Sequence, residues 1–262
     1  MAIKLQYPSY PDLKGKTAVV TGGSRGIGAA TCHLLSANDV NVVVSGREPS
    51  AISNVVHSIR SDGGRAVGIP ADCTDFAQIE RMRNEAEREF GSVDVLVACV
   101  GGRGGFTPTE QITPEQWHLV IDKNLTATFL TVKSFLPGMI ERRRGSIITV
   151  ASSAGRFLID ASLASSSYAA AKAGVVMFSR RVAGEVAKHG VRVNCVAPGA
   201  VLTERVDREL TALQHKNIAA LIPLGRMGTA QDVALAAIFL ASESSSWLTG
   251  VTLDVTGGRI ML

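Results

Sequence analysis

A chain of 262 residues with 46% hydrophobic but only 5% aromatic side chains can bury a large core and is too apolar to be disordered. Its formal charge of +4 is spread over 27 basic and 23 acidic residues with no basic stripe, which excludes a nucleic-acid groove. Cys32, Cys73, Cys99 and Cys195 lack CxxC spacing, the histidines lack ligand spacing, and no run approaches about 18 apolar residues, so no metal site, disulfide framework or membrane partner is expected.

TAVVTGG at 17–23 is a β-prone run ending in glycines, and Ile27, Ala30, Leu34 and Leu35 follow at helical spacing. VNVVVSG at 40–46 is a second strand, so the helix is a crossover that returns the chain parallel to its start. The alternation continues with strands predicted at 66–70, 93–97, 146–150, 191–196 and 252–255. Helices are predicted near 50–61, 76–89, 114–141, 168–189 and 230–241. No linker divides the chain, and these elements predict one α/β domain over 1–262, a Rossmann fold whose doubly wound, seven-stranded parallel sheet carries helices on both faces. The start MAIKLQYPSYPDLKG lacks a basic segment followed by an apolar core, so a cytoplasmic protein is expected.

Two motifs carry chemistry. TGGSRGIG at 21–28 puts Gly22, Gly26 and Gly28 where a chain turns tightly, lets a pyrophosphate approach its backbone and packs helix on strand. A generic glycine turn would look similar, but its position after the first strand favours a dinucleotide. YAAAK at 168–172 sets a phenol and an ammonium on one helix face. Free tyrosine titrates near pH 10, so proton exchange with a substrate oxygen at neutral pH needs a nearby cation, which Lys172 supplies. An exposed Tyr and Lys would give the same pattern alone; its place in the fifth long helix argues for catalysis.

With these motifs in order, the chain resembles the short-chain dehydrogenase/reductase family beyond its first dozen residues, and within it the acyl-carrier-protein reductases and related ketoreductases. DVLVACVGG at 94–102, KNLTATF at 123–129, VRVNCVAPGAVLT at 191–203 and LTGVTLDVTGG at 248–258 look like further family segments. The resemblance implies that Tyr168 is the acid in reduction and the base in oxidation, while Lys172 supports it and holds the nicotinamide ribose. Ser152 would hydrogen-bond the substrate oxygen; Ser153 is adjacent, but Ser152 aligns with the family's S-x-x-G ending at Gly155. Asn124 would hold a helix open for a water path to Lys172. Cofactor contacts are expected from Gly22, Ser24, Arg25, Gly26, Ile27 and Gly28, from Arg47, Gly101, Tyr168 and Lys172, and from Pro198, Gly199, Val201 and Thr203. Asp72 and Cys73 would meet adenine. An NAD-preferring protein needs a carboxylate at the end of the second strand, and Gly46 stands there. Arg47 and Arg25 offer guanidinium groups to a 2′-phosphate, so NADP (NADPH) is the expected cofactor.

Two departures from the family are visible: Ala98, Cys99, Val100 and Gly101 replace N-N-A-G, and the segment between Gly155 and Tyr168 is longer than usual. Cys99 is expected to be a buried structural thiol. The reading is an NADPH-dependent reductase of a ketoacyl, polyketide-like or related carbonyl, free or on an acyl carrier protein. Arg142, Arg143 and Arg144 precede the Ser-bearing strand, and the resemblance to acyl-carrier-protein reductases implies a carrier-docking position at Arg143; the alternative is a basic helix end that complements the macrodipole. The alternatives are an alcohol or sugar dehydrogenase and a cofactor-binding regulator without turnover. A substrate lid is expected at about 201–227, and a homotetramer paired through the helices at 114–141 and 168–189.

Overall fold

The strands form because valine-rich runs bury both faces of a parallel sheet. The computed structural model describes residues 8–158 and 164–261. In chain order its elements are β1 (Thr17–Thr21), α1 (Gly26–Ser36), β2 (Asn41–Gly46), α2 (Pro49–Ser61), β3 (Ala66–Pro70), α3 (Phe76–Phe90) and β4 (Val95–Ala98). There follow α4 (Pro114–Ile121), α5 (Ala127–Glu141), β5 (Gly145–Val150), α6 (Ser166–Val186) and β6 (Val191–Pro198). The last part holds β7 (Val201–Leu202), α7 (Glu204–Glu209), α8 (Ala212–Ala220), β8 (Gly228–Thr229), α9 (Ala230–Ala241) and β9 (Thr252–Val255).

Seven strands make one parallel sheet, as the sequence predicts; their order is β3-β2-β1-β4-β5-β6-β9, and β7 pairs separately with β8. Alternation along each strand divides the core. Ala18, Val20, Val42, Val44, Val95 and Val97 face α1, α2 and α9, whereas Val19, Val43 and Leu96 face α3, α5 and α6. Order reverses between β1 and β4, which opens a crevice at their carboxyl ends.

Beyond shifts of one to three residues at other element ends, the structure departs from expectation in three places. The fourth strand runs over Val95–Ala98 rather than 93–97; Asp94 just before it still bonds both neighbours, its amide donating to the Thr17 carbonyl and its carbonyl accepting from the Ser146 amide, each at 2.9 Å, while its carboxylate accepts from the Thr17 amide at 3.1 Å and pairs with Arg144 at 2.5 Å. The helix expected over 114–141 is two helices separated by a π-helical turn, Asp122–Thr126. The region 201–227 holds α7, α8 and a strand that the sequence reading left unassigned. Part of the long segment between Gly155 and Tyr168 (159–163), and the first seven residues of the chain, lie outside the described residues.

Candidate active site

The glycine turn leaves β1 at the crevice. Gly22 has φ +66° and lies so close to the end of β4 that a Cβ would meet the Cys99 carbonyl oxygen at 3.0 Å. A Cβ on Gly28 would sit 2.1 Å from the Gly22 carbonyl oxygen, which excludes every larger residue from that position in the first turn of α1. Arg25, the N-cap of α1, makes no side-chain cap hydrogen bond, so the first amides of an 11-residue helix point at the crevice unmatched by a cap. That is an anion cradle, and it fits a pyrophosphate.

Across the crevice the chain from β4 reaches Gly101. A Cβ there would lie 2.6 Å from Asn124 Oδ1 and 3.0 Å from Lys172 Nζ, so the absence of a side chain brings both groups under one loop. Asn124 is fully buried in the π-helical turn. Its Nδ2 donates to the Val120 carbonyl at 2.9 Å and the Gly102 carbonyl at 3.1 Å, and its Oδ1 accepts from the Gly102 amide at 3.1 Å. The widened turn frees this amide to tie helix to loop.

Ser165 caps α6 by accepting from the Tyr168 amide at 3.3 Å, which starts the helix where Tyr168 and Lys172 share a face. Lys172 is buried, its Nζ donating to the Val150 carbonyl at 2.8 Å and lying 5.8 Å from the Tyr168 ring centroid. Ser152, the half-buried residue of the serine pair, accepts from the Ala154 amide at 3.2 Å; Ser153 is buried. Gly155 closes this turn against α6: a Cβ would meet the Ala173 nitrogen at 2.4 Å. Next to it Arg156 makes a bidentate pair with Asp254 of β9, at 2.9 and 2.8 Å, with both side chains largely shielded. The sequence offered no sign of this pair.

At the end of β2, a Cβ on Gly46 would lie 2.8 Å from Ser24 Oγ. Arg25 pairs with Glu48, a residue that the sequence reading did not single out, although a carboxylate just before Pro49 at a helix start was visible. Asp72 accepts from the Thr74 amide and hydroxyl at 2.9 and 2.7 Å. The Thr74 amide holds its carboxyl below the usual range, with Arg47 adding to the effect. The thiol of Cys73 is buried and pushed up to about 11 by desolvation, so a ligand beside it would meet backbone.

Pro198 ends β6, and Gly199 donates its amide to the Val255 carbonyl at 2.9 Å. Val201 lies in β7, and the methyl of Thr203 is 3.3 Å from a Cβ position on Gly26, which links this strap to the glycine turn. The expected residues around Gly26, Gly101, Lys172 and Thr203 therefore meet around one crevice. Burial pushes the Cys99 thiol up to about 11, with Lys172 pulling the other way. Among the described residues no group of His, Cys, Asp or Glu could hold a metal ion, and no helix is long and apolar enough to cross a membrane. Arg142, Arg143 and Arg144 are engaged with the Val93 carbonyl, the Lys188 carbonyl and Asp94, each within 2.8 Å.

A family model described as short chain dehydrogenase matches residues 16–213. The 3-oxoacyl-acyl-carrier-protein reductase of Escherichia coli (strain K12) is 37% identical over 257 residues, covering 96% of this chain and 100% of that protein. Glucose 1-dehydrogenase 2 of Bacillus subtilis (strain 168) is 35% identical over 255 residues, covering 96% of this chain and 97% of that protein. A crystal structure of 3-oxoacyl-acyl-carrier-protein reductase from Brucella melitensis ATCC 23457 superposes with a TM-score of 0.92 at 29% identity, covering 100% of this chain and 99% of that one.

Proposed function

The chain belongs to the short-chain dehydrogenase/reductase family, and from that premise we propose that it is an NADPH-linked ketoreductase with Asn124, Ser152, Tyr168 and Lys172 as its catalytic set. The observation that carries this is the buried Lys172 ammonium, fixed by the Val150 carbonyl and 5.8 Å from the Tyr168 ring. A cation there stabilises a phenolate, so the Tyr168 hydroxyl can give its proton to a carbonyl oxygen as that oxygen gains charge. The Ser152 hydroxyl steadies the same oxygen. Asn124 keeps the loop at Gly102 on the π-helical turn and so holds the roof over Lys172. Bound nicotinamide supplies the hydride. The glycine turn and the uncapped end of α1 hold its pyrophosphate, while the 198–203 strap flanks the crevice.

The substrate is a carbonyl compound with an apolar portion. Leu202, Leu213, Leu221 and Leu224 are exposed on the 201–227 segment, which we read as the substrate lid, and Phe106 and Leu158 are exposed on other loops. A 3-oxoacyl thioester on a carrier protein, the substrate in the name of the Escherichia coli relative, meets that description. A sugar, as in the name of the Bacillus subtilis relative, offers less apolar surface. Exposed Trp117, Leu119, Phe129 and Met177 on α4, α5 and α6 support pairing of copies into a homotetramer.

Gly46 offers no acceptor to ribose hydroxyls, and Arg25 and Arg47 flank it. In a screen of ketones that follows cofactor consumption, kcat/KM with NADPH should exceed that with NADH by about tenfold or more, roughly 1.4 kcal/mol of transition-state binding. Arg47→Ala should close much of the gap. Equal use of both cofactors by the wild type would show that Gly46 and Arg47 do not select the phosphate.

A further inference from the structure

Although Gly46 leaves the end of β2 without a carboxylate, one stands two residues on. Glu48 is the N-cap of α2, at the positive end of that helix, and its Oε1 accepts from Ser50 Oγ at 3.1 Å. Its other oxygen pairs with Arg25, the guanidinium on the glycine turn. Arg25 is thus held by an acid of this chain at the place where a 2′-phosphate would claim it. The pair is open to replacement, since its side chains are 56% and 57% exposed.

We propose that Glu48 is a specificity-determining residue that competes with the 2′-phosphate for Arg25 and thereby narrows the preference for NADPH over NADH. The proposal rests on the NADPH reading of the crevice. For the phosphate to be clamped, either Arg25 leaves Glu48 or the phosphate shares it beside a carboxylate, and both cost affinity for the phosphorylated cofactor alone. An adenosine ribose without phosphate would carry neither cost. Exposed ion pairs alter equilibria by about fivefold at most, and the repulsion between phosphate and carboxylate adds to this at low salt.

The test is calorimetric titration of the full chain with NADP+ and NAD+ in the absence of substrate. Glu48→Gln keeps the size of the side chain and its bond to Ser50 while removing the charge. NADP+ should bind it about fivefold more tightly than wild type, and NAD+ no more tightly. The gain should shrink as salt is raised and, at high salt where the direct repulsion is screened, should be lost in an Arg25→Ala background. Glu48→Ala should reproduce the gain, and both variants should stay folded, unfolding within a few degrees of wild type. Unchanged or weaker NADP+ binding in Glu48→Gln, or a gain of undiminished size in Arg25→Ala at high salt, overturns the proposal. The NADPH reading is judged separately, by whether wild type binds NADP+ more tightly than NAD+.

Discussion

Replacing Tyr168 by Phe should lower kcat by about 10²–10⁴-fold, the usual contribution of a positioned proton donor. The substitution removes one hydroxyl and leaves the rest of the site in place. The ring still lies beside Lys172, whose own hydrogen bond runs to the Val150 carbonyl, and the Ser165 cap contacts a backbone amide that both residues have. Tyr168 is only half-buried, so the phenyl ring costs the fold little. Steady-state kinetics on the purified variant, with thermal unfolding and NADP+ titration as controls, would read the effect. Near-normal turnover in a folded, cofactor-binding Tyr168→Phe protein would remove Tyr168 from the chemistry.

Asp254→Asn should destabilise the protein by about 2–3 kcal/mol, slightly less than the loss of one partner from a fully buried ion pair. Arg156 and Asp254 are 11% and 16% exposed, so the guanidinium that remains is mostly cut off from water. The loss should reach the site as well. Arg156 follows the Ser153–Gly155 turn, Ser152 is that turn's N-cap, and Gly155 presses on the backbone of Lys172 and Ala173. With the tie to β9 gone, the turn is held on one side only, and kcat should fall more than cofactor affinity. Urea unfolding should show the single variant well below wild type. The double variant Arg156→Met with Asp254→Leu should recover much of the stability, because it leaves no buried charge unpaired. A single variant as stable as wild type would mean that water reaches the pair after all.

The central strands were legible because a parallel strand covered on both faces reads as a short run rich in Val and Ile, as in Asn41–Gly46 and Gly145–Val150. The glycine turn was legible for a different reason: Gly28 stands where even a methyl group would collide with Gly22. The break at Asp122–Thr126 was not legible from periodicity, because α4 buries no side chain whose spacing could mark a shift of register, and Asn124 was singled out only through family resemblance. The Arg156–Asp254 pair joins residues 98 positions apart, which meet only once β9 lies beside β6. Glu48 was visible as a charge, but the direction of the Arg25 side chain is set by the folded turn. Charge and sequence distance conceal such pairs, whereas hydrophobic period and glycine sterics are written locally.

The transfer of hydride itself can be followed by supplying NADPH deuterated at both C4 positions with a 3-oxoacyl thioester and analysing the product by mass spectrometry. Deuterium should appear on the carbinol carbon of a 3-hydroxyacyl product formed by the wild type, and the product should be nearly absent with Tyr168→Phe. A panel of ketones left unreduced by the wild type, or product formed without deuterium at that carbon, would contradict a ketoreductase working through Tyr168 and Lys172.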